Sequence, residues 1–151
     1  MDKSTVEEWL KYSTNDLEAA NHLLTLYPLK LEIICYLCQQ SAEKMLKAFW
    51  LYCDEFPPKT HDLELLRSKC EDYEATFSEL VGACIRLNDY SSQPRYPFNL
   101  ELTEDDMLLA INDSKRVSEF VTSLIIFDEA DKEDRQAIES DKQAIESDDK
   151  R

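Results

Sequence analysis

The chain has 151 residues, 43% of them hydrophobic, with 32 acidic against 17 basic side chains and a net charge of −15. That length suits one domain able to bury roughly 70% of its unfolded surface, and the apolar share excludes wholesale disorder. A single glycine is too few for the turns of a β-sandwich or a wound α/β fold, so the composition predicts an all-α fold with few connections.

The acidity is spread along the chain: residues 1–127 carry 22 acids and 12 bases, and residues 128–151 carry 10 and 5. Broad binding to nucleic-acid phosphates is therefore not expected, because only a local basic patch could act against that field. No apolar run follows a basic start and no stretch reaches the length of a membrane span, so neither a signal peptide nor a membrane segment is expected. With five cysteines, an odd number, the expectation is reduced thiols in the cytoplasm.

In chain order, Ser4 and Glu7 read as a capping box opening the first helix. A stripe at Val6, Leu10, Ser13, Leu17, Ala20, Leu24 and Tyr27 marks one face of it, and Pro28 ends it. A second helix is expected from about Leu29 to Cys53, apolar nearly all round and so the central one. After "EFPPKT", a shorter helix opens near Thr60, its hydroxyl the expected cap, and shows Leu63, Leu66 and Cys70. A fourth carries Phe77, Leu80, Val81, Cys84 and Leu87, with Gly82 expected to admit a neighbouring helix. "SSQPRYPFNLEL" reads as a loop, and Thr103 with Asp106 opens a fifth helix through Met107, Ile111, Val117, Val121, Leu124 and Ile125. The expected architecture is an up-down bundle of four long helices with one short helix, over residues 1–127. Residues 128–151 form an acidic tail in which "QAIESDK" is followed at once by "QAIESDD". It is either a solvated tail or an extension of the last helix.

Few constellations carry chemistry. Cys35 and Cys38 lie one turn apart in the apolar helix without a second pair for zinc or a strand-to-helix start for redox work, so they read as small buried hydrophobes and no metal is expected. One glycine rules out a glycine-rich phosphate loop, and no cofactor is expected. His61 sits just ahead of a helix, where it either packs or binds. Gln40, Glu43, Lys44 and Lys47 recur at helical spacing inside the greasiest helix. They form a solvent stripe, a seam between helices or the lining of a site; the periodicity does not choose. Arg95 and Tyr96, in the loop, pair a cation with a ring that could meet a phosphate and stack a base.

"DLEAANHLL", "CQQSAEKMLKAF", "THDLELL" and "RYP" follow one another in the order and spacing of the HEPN domain, a nucleotide-binding domain of higher eukaryotes and prokaryotes, which residues 5–127 resemble. The resemblance implies a helical bundle, often dimeric, and two kinds of activity. Many members are ribonucleases, commonly toxins, with an arginine and a following histidine separated by four to six residues. Others lack that pair and accompany a minimal nucleotidyltransferase. Here the positions ahead of His61 hold Asp54, Glu55 and Phe56, those ahead of His22 hold Asn15, Asp16 and Leu17, and those after Arg95 hold Leu100, Glu101 and Leu102. The ribonuclease pair is absent. The resemblance thus favours a non-catalytic, homodimeric partner of a nucleotidyltransferase, in a toxin–antitoxin-like pair. Gln40, Glu43, Lys44, Lys47, His61, Arg95 and Tyr96 would line its polar nucleotide groove. The alternatives are a divergent ribonuclease toxin using His61 with Arg95 or Arg86, and a homodimeric structural adaptor with the stripe at its interface.

Overall fold

The structure is a computed structural model that describes residues 2–92, 101–127, 140–141 and 143–144. Five α-helices follow one another among these residues: α1 Lys3–His22, α2 Leu31–Tyr52, α3 Leu63–Tyr73, α4 Val81–Asn88 and α5 Glu104–Leu124. No strand occurs among the described residues, and none of the helices is long and apolar enough to cross a membrane.

Helix α2 is central, as its apolar run predicts, and both α1 and α5 pack along it. Helix α1 runs antiparallel to it, Trp9 lying beside Lys47 and Ser13 beside Ser41. The two serines allow close approach. Each hydroxyl donates to the other's carbonyl, Ser13 Oγ to Ser41 O at 2.7 Å and Ser41 Oγ to Ser13 O at 2.8 Å. Two buried polar groups are thereby satisfied at once. Helix α5 runs parallel to α2: Ser114 Oγ donates to Cys38 O at 2.8 Å, and Tyr52 reaches Ile126 O further on. Helix α3 is tied to α2 by Trp50, whose indole N–H donates to Leu66 O.

Several helix ends differ from expectation. Asp2, not Ser4, caps α1: its carboxylate accepts from the Ser4 amide at 3.1 Å and the Thr5 hydroxyl at 2.7 Å. The Thr5 hydrogen bond holds the Asp2 carboxyl below the usual range. The α-helix ends at His22 and a 3-10 turn, Leu23–Thr25, carries the chain on before Pro28. Thr60 does not cap α3; its hydroxyl accepts from the Asp62 amide, and Asp62 is the cap, accepting from Glu64 N at 3.0 Å and Leu65 N at 3.3 Å. Asn88 completes that end by accepting from Leu63 N and donating to Asp62. Thr103 and Asp106 do form the expected capping box of α5.

Asp62→Ala removes the acceptor for two amides at the start of α3 and the partner of Asn88. It should cost about 1–2 kcal/mol in urea unfolding; a loss below about 0.3 kcal/mol would show that water replaces the cap at no cost.

The fourth segment is the larger departure. It is not one long helix: Glu74 adopts extended backbone, Ala75–Leu80 is a 3-10 turn, and only Val81–Asn88 is α-helical. Phe77 and Leu80 remain buried, because a 3-10 turn also places residues three apart on one side. Gly82 has a different role from the one expected. A Cβ there would meet the guanidinium of Arg86, on its own helix, at 3.1 Å. The missing side chain makes room for Arg86, which reaches across to Asp113 of α5 through two hydrogen bonds of 2.8 Å.

Of the expected acidic tail, residues 140–141 and 143–144 are helical and exposed. The rest of it, with both repeat isoleucines, lies outside the described residues.

Candidate functional site

The polar residues of α2 divide into two rows. On a helix, positions four apart stack into a row. Gln39, Glu43 and Lys47 form one row and Gln40 and Lys44 the other, and the two meet different neighbours.

The first row is buried: Gln39 and Glu43 face the segment that leads into α3, and Lys47 lies against Trp9 of α1. Gln39 is fully buried, Glu43 is 4% exposed and Lys47 is 7% exposed. Glu43 is the hub. One carboxylate oxygen accepts from Lys47 Nζ at 3.2 Å, and the other meets His61 Nδ1 at 2.8 Å and Gln39 Nε2 at 3.5 Å. The Gln39 amide also donates to the His61 carbonyl at 3.0 Å, so the histidine is held through both backbone and ring. Lys47 lies over the Trp9 ring, 5.9 Å from its centroid. The ammonium thus has a carboxylate and a π face, which a buried charge requires.

The second row faces α1. Lys44 is salt-bridged to Asp16, both side chains being only about a quarter exposed. Gln40 is half-buried and donates to Gln39 Oε1 at 2.8 Å. Of the expected set, then, Glu43, Lys47 and His61 share a network to which Gln40 is linked through Gln39, whereas Lys44 is engaged with another helix. The reading of the stripe as solvent-facing fails at Glu43 and Lys47. Arg95 and Tyr96 lie outside the described residues.

Sequence reasoning did not select Gln39, although its spacing of four from Glu43 is visible in the sequence. Nor did it select Asp16, for which no local signal exists, because the register of two helices is set by packing.

His61 differs from the groups that hold it. Its side chain is 70% exposed, whereas that of Glu43 is 6% exposed. With Nδ1 donating to a buried carboxylate, the ring is fixed in orientation and Nε2 is left for a ligand. Such an arrangement can donate or accept one hydrogen bond, or move one proton. The charges nearby are balanced, Lys47 against Glu43 and Lys44 against Asp16. An anion bound by Lys44 or Lys47 would therefore have to displace one of these carboxylates. Arg86 is not free to serve, because its bidentate pair with the buried Asp113 holds it and raises its pKa.

Other candidates can be set aside. Cys35 and Cys38 are buried free thiols, which burial pushes up to about 12; they are protonated at neutral pH and act as small hydrophobes. No group of histidine, cysteine and carboxylate side chains that could hold a metal ion occurs among the described residues. A concavity of about 260 Å³, lined by Phe49, Tyr52, Cys53, Tyr73, Glu74 and Leu124, shares no residue with the Glu43 network. The hollow and the polar chemistry are in different places, and the chemistry is the better guide because its groups are fixed against one another.

A family model described as the HEPN domain matches residues 6–124 of the chain. The fold is similar to the crystal structure of an archaeal HEPN homologue, with a TM-score of 0.64 and 25% sequence identity, over 80% of this chain and 98% of that one. No curated protein is significantly similar in sequence.

Proposed function

The chain belongs to the HEPN domain family, and from that premise we propose that it is a non-catalytic helical partner of a minimal nucleotidyltransferase, in a toxin–antitoxin-like pair. It presents Gln40 and His61 to a nucleotide or to part of the enzyme's substrate. One observation carries this reading: a buried carboxylate, Glu43, holds an imidazole whose side chain remains 70% exposed. Burying Glu43 and Lys47 beside a loop is costly, and its visible product is a histidine pointed outward in one orientation. The balance of charge refines the proposal. Gln40 and His61 suit a base edge or a sugar hydroxyl, while a phosphate would fall to Arg95, or to Lys44 once released from Asp16.

Thermal shift tests the proposal with a panel of nucleoside mono-, di- and triphosphates at about 1 mM, alone and with a minimal nucleotidyltransferase added. A dissociation constant near 100 µM gives about 1.4 kcal/mol of stabilisation, a shift of a few degrees. His61→Ala should abolish the shift. If no nucleotide stabilises the protein in either setting, the binding role is wrong.

A second reading has one observation in its favour. A carboxylate on Nδ1 is also how a general base is oriented, so a divergent ribonuclease would use His61 as base. Against it stand the missing arginine–histidine spacing and the engagement of Arg86 with Asp113. Expression of wild type beside His61→Ala, read by growth and by integrity of cellular RNA, separates the two; RNA loss only with wild type would favour the nuclease. The third reading, an adaptor whose polar stripe forms the interface between chains, loses Lys47, which is 7% exposed and paired within its own helix.

A further inference from the structure

Three helix ends meet at the hollow that lies apart from the Glu43 network. Of its lining, Tyr52 and Tyr73 are the last residues of α2 and α3, Cys53 and Glu74 are the C-caps of the same helices, and Leu124 is the last residue of α5. A helix C-terminus carries about half a negative charge, which a basic side chain in the last turn would balance. None of these three helices has a basic residue in its last turn. Lys69 does not line the hollow; its Nζ lies 4.0 Å from Asp72 and 5.8 Å from the centre of the Tyr73 ring.

The side chains add to that field. Glu74 is the one carboxylate in the lining. It accepts from Thr76 N at 3.4 Å and from Thr76 Oγ1 at 2.9 Å, both at Oε1, which fixes the group and leaves Oε2 to a ligand. The tyrosine hydroxyls are engaged, Tyr52 donating to Ile126 O at 3.2 Å and Tyr73 to Glu55 Oε1 at 2.5 Å. Their rings, with that of Phe49, are thereby held as apolar walls. Among the described residues nothing cationic lines the hollow. Two of its groups register the local charge. The Glu55 hydrogen bond pushes the Tyr73 hydroxyl up to about 12, and burial, then Asp54 and Glu55, raise the Cys53 thiol.

A ligand suited to this place has a positive head with N–H groups and an apolar body. The helix ends and Glu74 attract the charge, and the ring faces attract it again while they cover the body. An anion would meet three negative helix ends and a carboxylate. At roughly 30 Å³ per water-sized group, about 260 Å³ holds on the order of nine heavy atoms. We propose that the meeting point of the α2, α3 and α5 C-termini binds a small primary amine with an aromatic or branched apolar body, its ammonium on Glu74 Oε2. The site shares no residue with Gln40, Glu43 or His61, so its test is independent of the nucleotide reading.

An NMR titration of the isotope-labelled full chain tests this with three probes of one shape, phenethylamine, phenylethanol and phenylacetate, each taken to about 10 mM. Phenethylamine should move the amides of Cys53, Tyr73, Glu74 and Leu124 with a dissociation constant of about 1 mM, and leave those of Gln40 and His61 in place. Phenylacetate should bind at least tenfold more weakly. Glu74→Gln, which keeps an acceptor for Thr76, should weaken phenethylamine at least fivefold and leave phenylethanol unchanged. The comparison of head groups uses wild type alone and does not depend on any variant folding. No shift at these four amides, phenylacetate bound as tightly as phenethylamine, or a Glu74→Gln chain that binds phenethylamine as wild type does would each overturn the proposal.

Discussion

Glu43→Ala should destabilise the protein by about 3–5 kcal/mol, because it leaves the Lys47 ammonium buried without its carboxylate. Lys47 is 7% exposed, and the Trp9 face 5.9 Å away covers only part of the lost attraction. At roughly 2–4 °C per kcal/mol, the melting temperature should fall on the order of 10 °C. Glu43→Gln keeps the volume and one acceptor and should cost less. The informative comparison is Glu43→Ala against Glu43→Ala with Lys47→Met. Removing the stranded charge should recover about 1.5–3 kcal/mol, whereas Lys47→Met alone leaves Glu43 with His61 and Gln39 as partners. A double mutant no more stable than Glu43→Ala would mean that water reaches Lys47 and that the network is not a buried one.

This experiment also bears on the site. If Glu43 serves only stability, restoring stability with the double mutant should leave any nucleotide response intact. If Glu43 orients His61, the response should stay lost in the stable double mutant, because the ring no longer has an acceptor on Nδ1.

What was legible in the sequence follows from the range of the forces involved. The centrality of α2 could be read from its apolar composition, and the α5 capping box from Thr103 and Asp106, since both are local. The true caps of α1 and α3 were missed because Asp2 and Asp62 compete with hydroxyls close by, and a carboxylate with two acceptor oxygens wins each start. The grouping of Glu43, Lys47 and His61 was foreseen from resemblance, not from periodicity, which left a solvent stripe equally open. The direction of Lys44 could not be read, because Asp16 lies 28 residues away on α1. That pairing depends on how far one helix slides along the other, and the interlocked Ser13 and Ser41 help to set this.

Phe77→Ala should be as damaging as Glu43→Ala, by a different mechanism. Phe77 is fully buried in the 3-10 turn, its ring 4.7 Å from that of Phe49 on α2 and 5.0 Å from that of Phe120 on α5. Truncation removes a buried ring that joins the Ala75–Leu80 turn to both long helices, at a cost of about 3–5 kcal/mol from lost transfer energy and the cavity left behind. Against a total stability of about 5–15 kcal/mol, much of the folded population could be lost at 37 °C. Phe77→Leu keeps most of the volume but loses the edge-on contact with Phe120, and should cost only about 1–2 kcal/mol. The gap between the two variants matters more than either value. A sequence that wound residues 75–88 into one α-helix would present Phe77 and Leu80 on a broad stripe, where neighbouring side chains could close over a loss. The short turn buries only Phe77 and Leu80, so the gap should exceed about 1.5 kcal/mol in denaturant unfolding. Arg67 adds a reason for the damage to spread: its guanidinium is buried, bound to Glu64 and Glu71, and reaches the Phe77 carbonyl at 3.4 Å. If Phe77→Ala and Phe77→Leu prove equally mild, the turn is not the anchor of α3 against the core, and the segment that positions His61 must be held from the Asp62–Asn88 end instead.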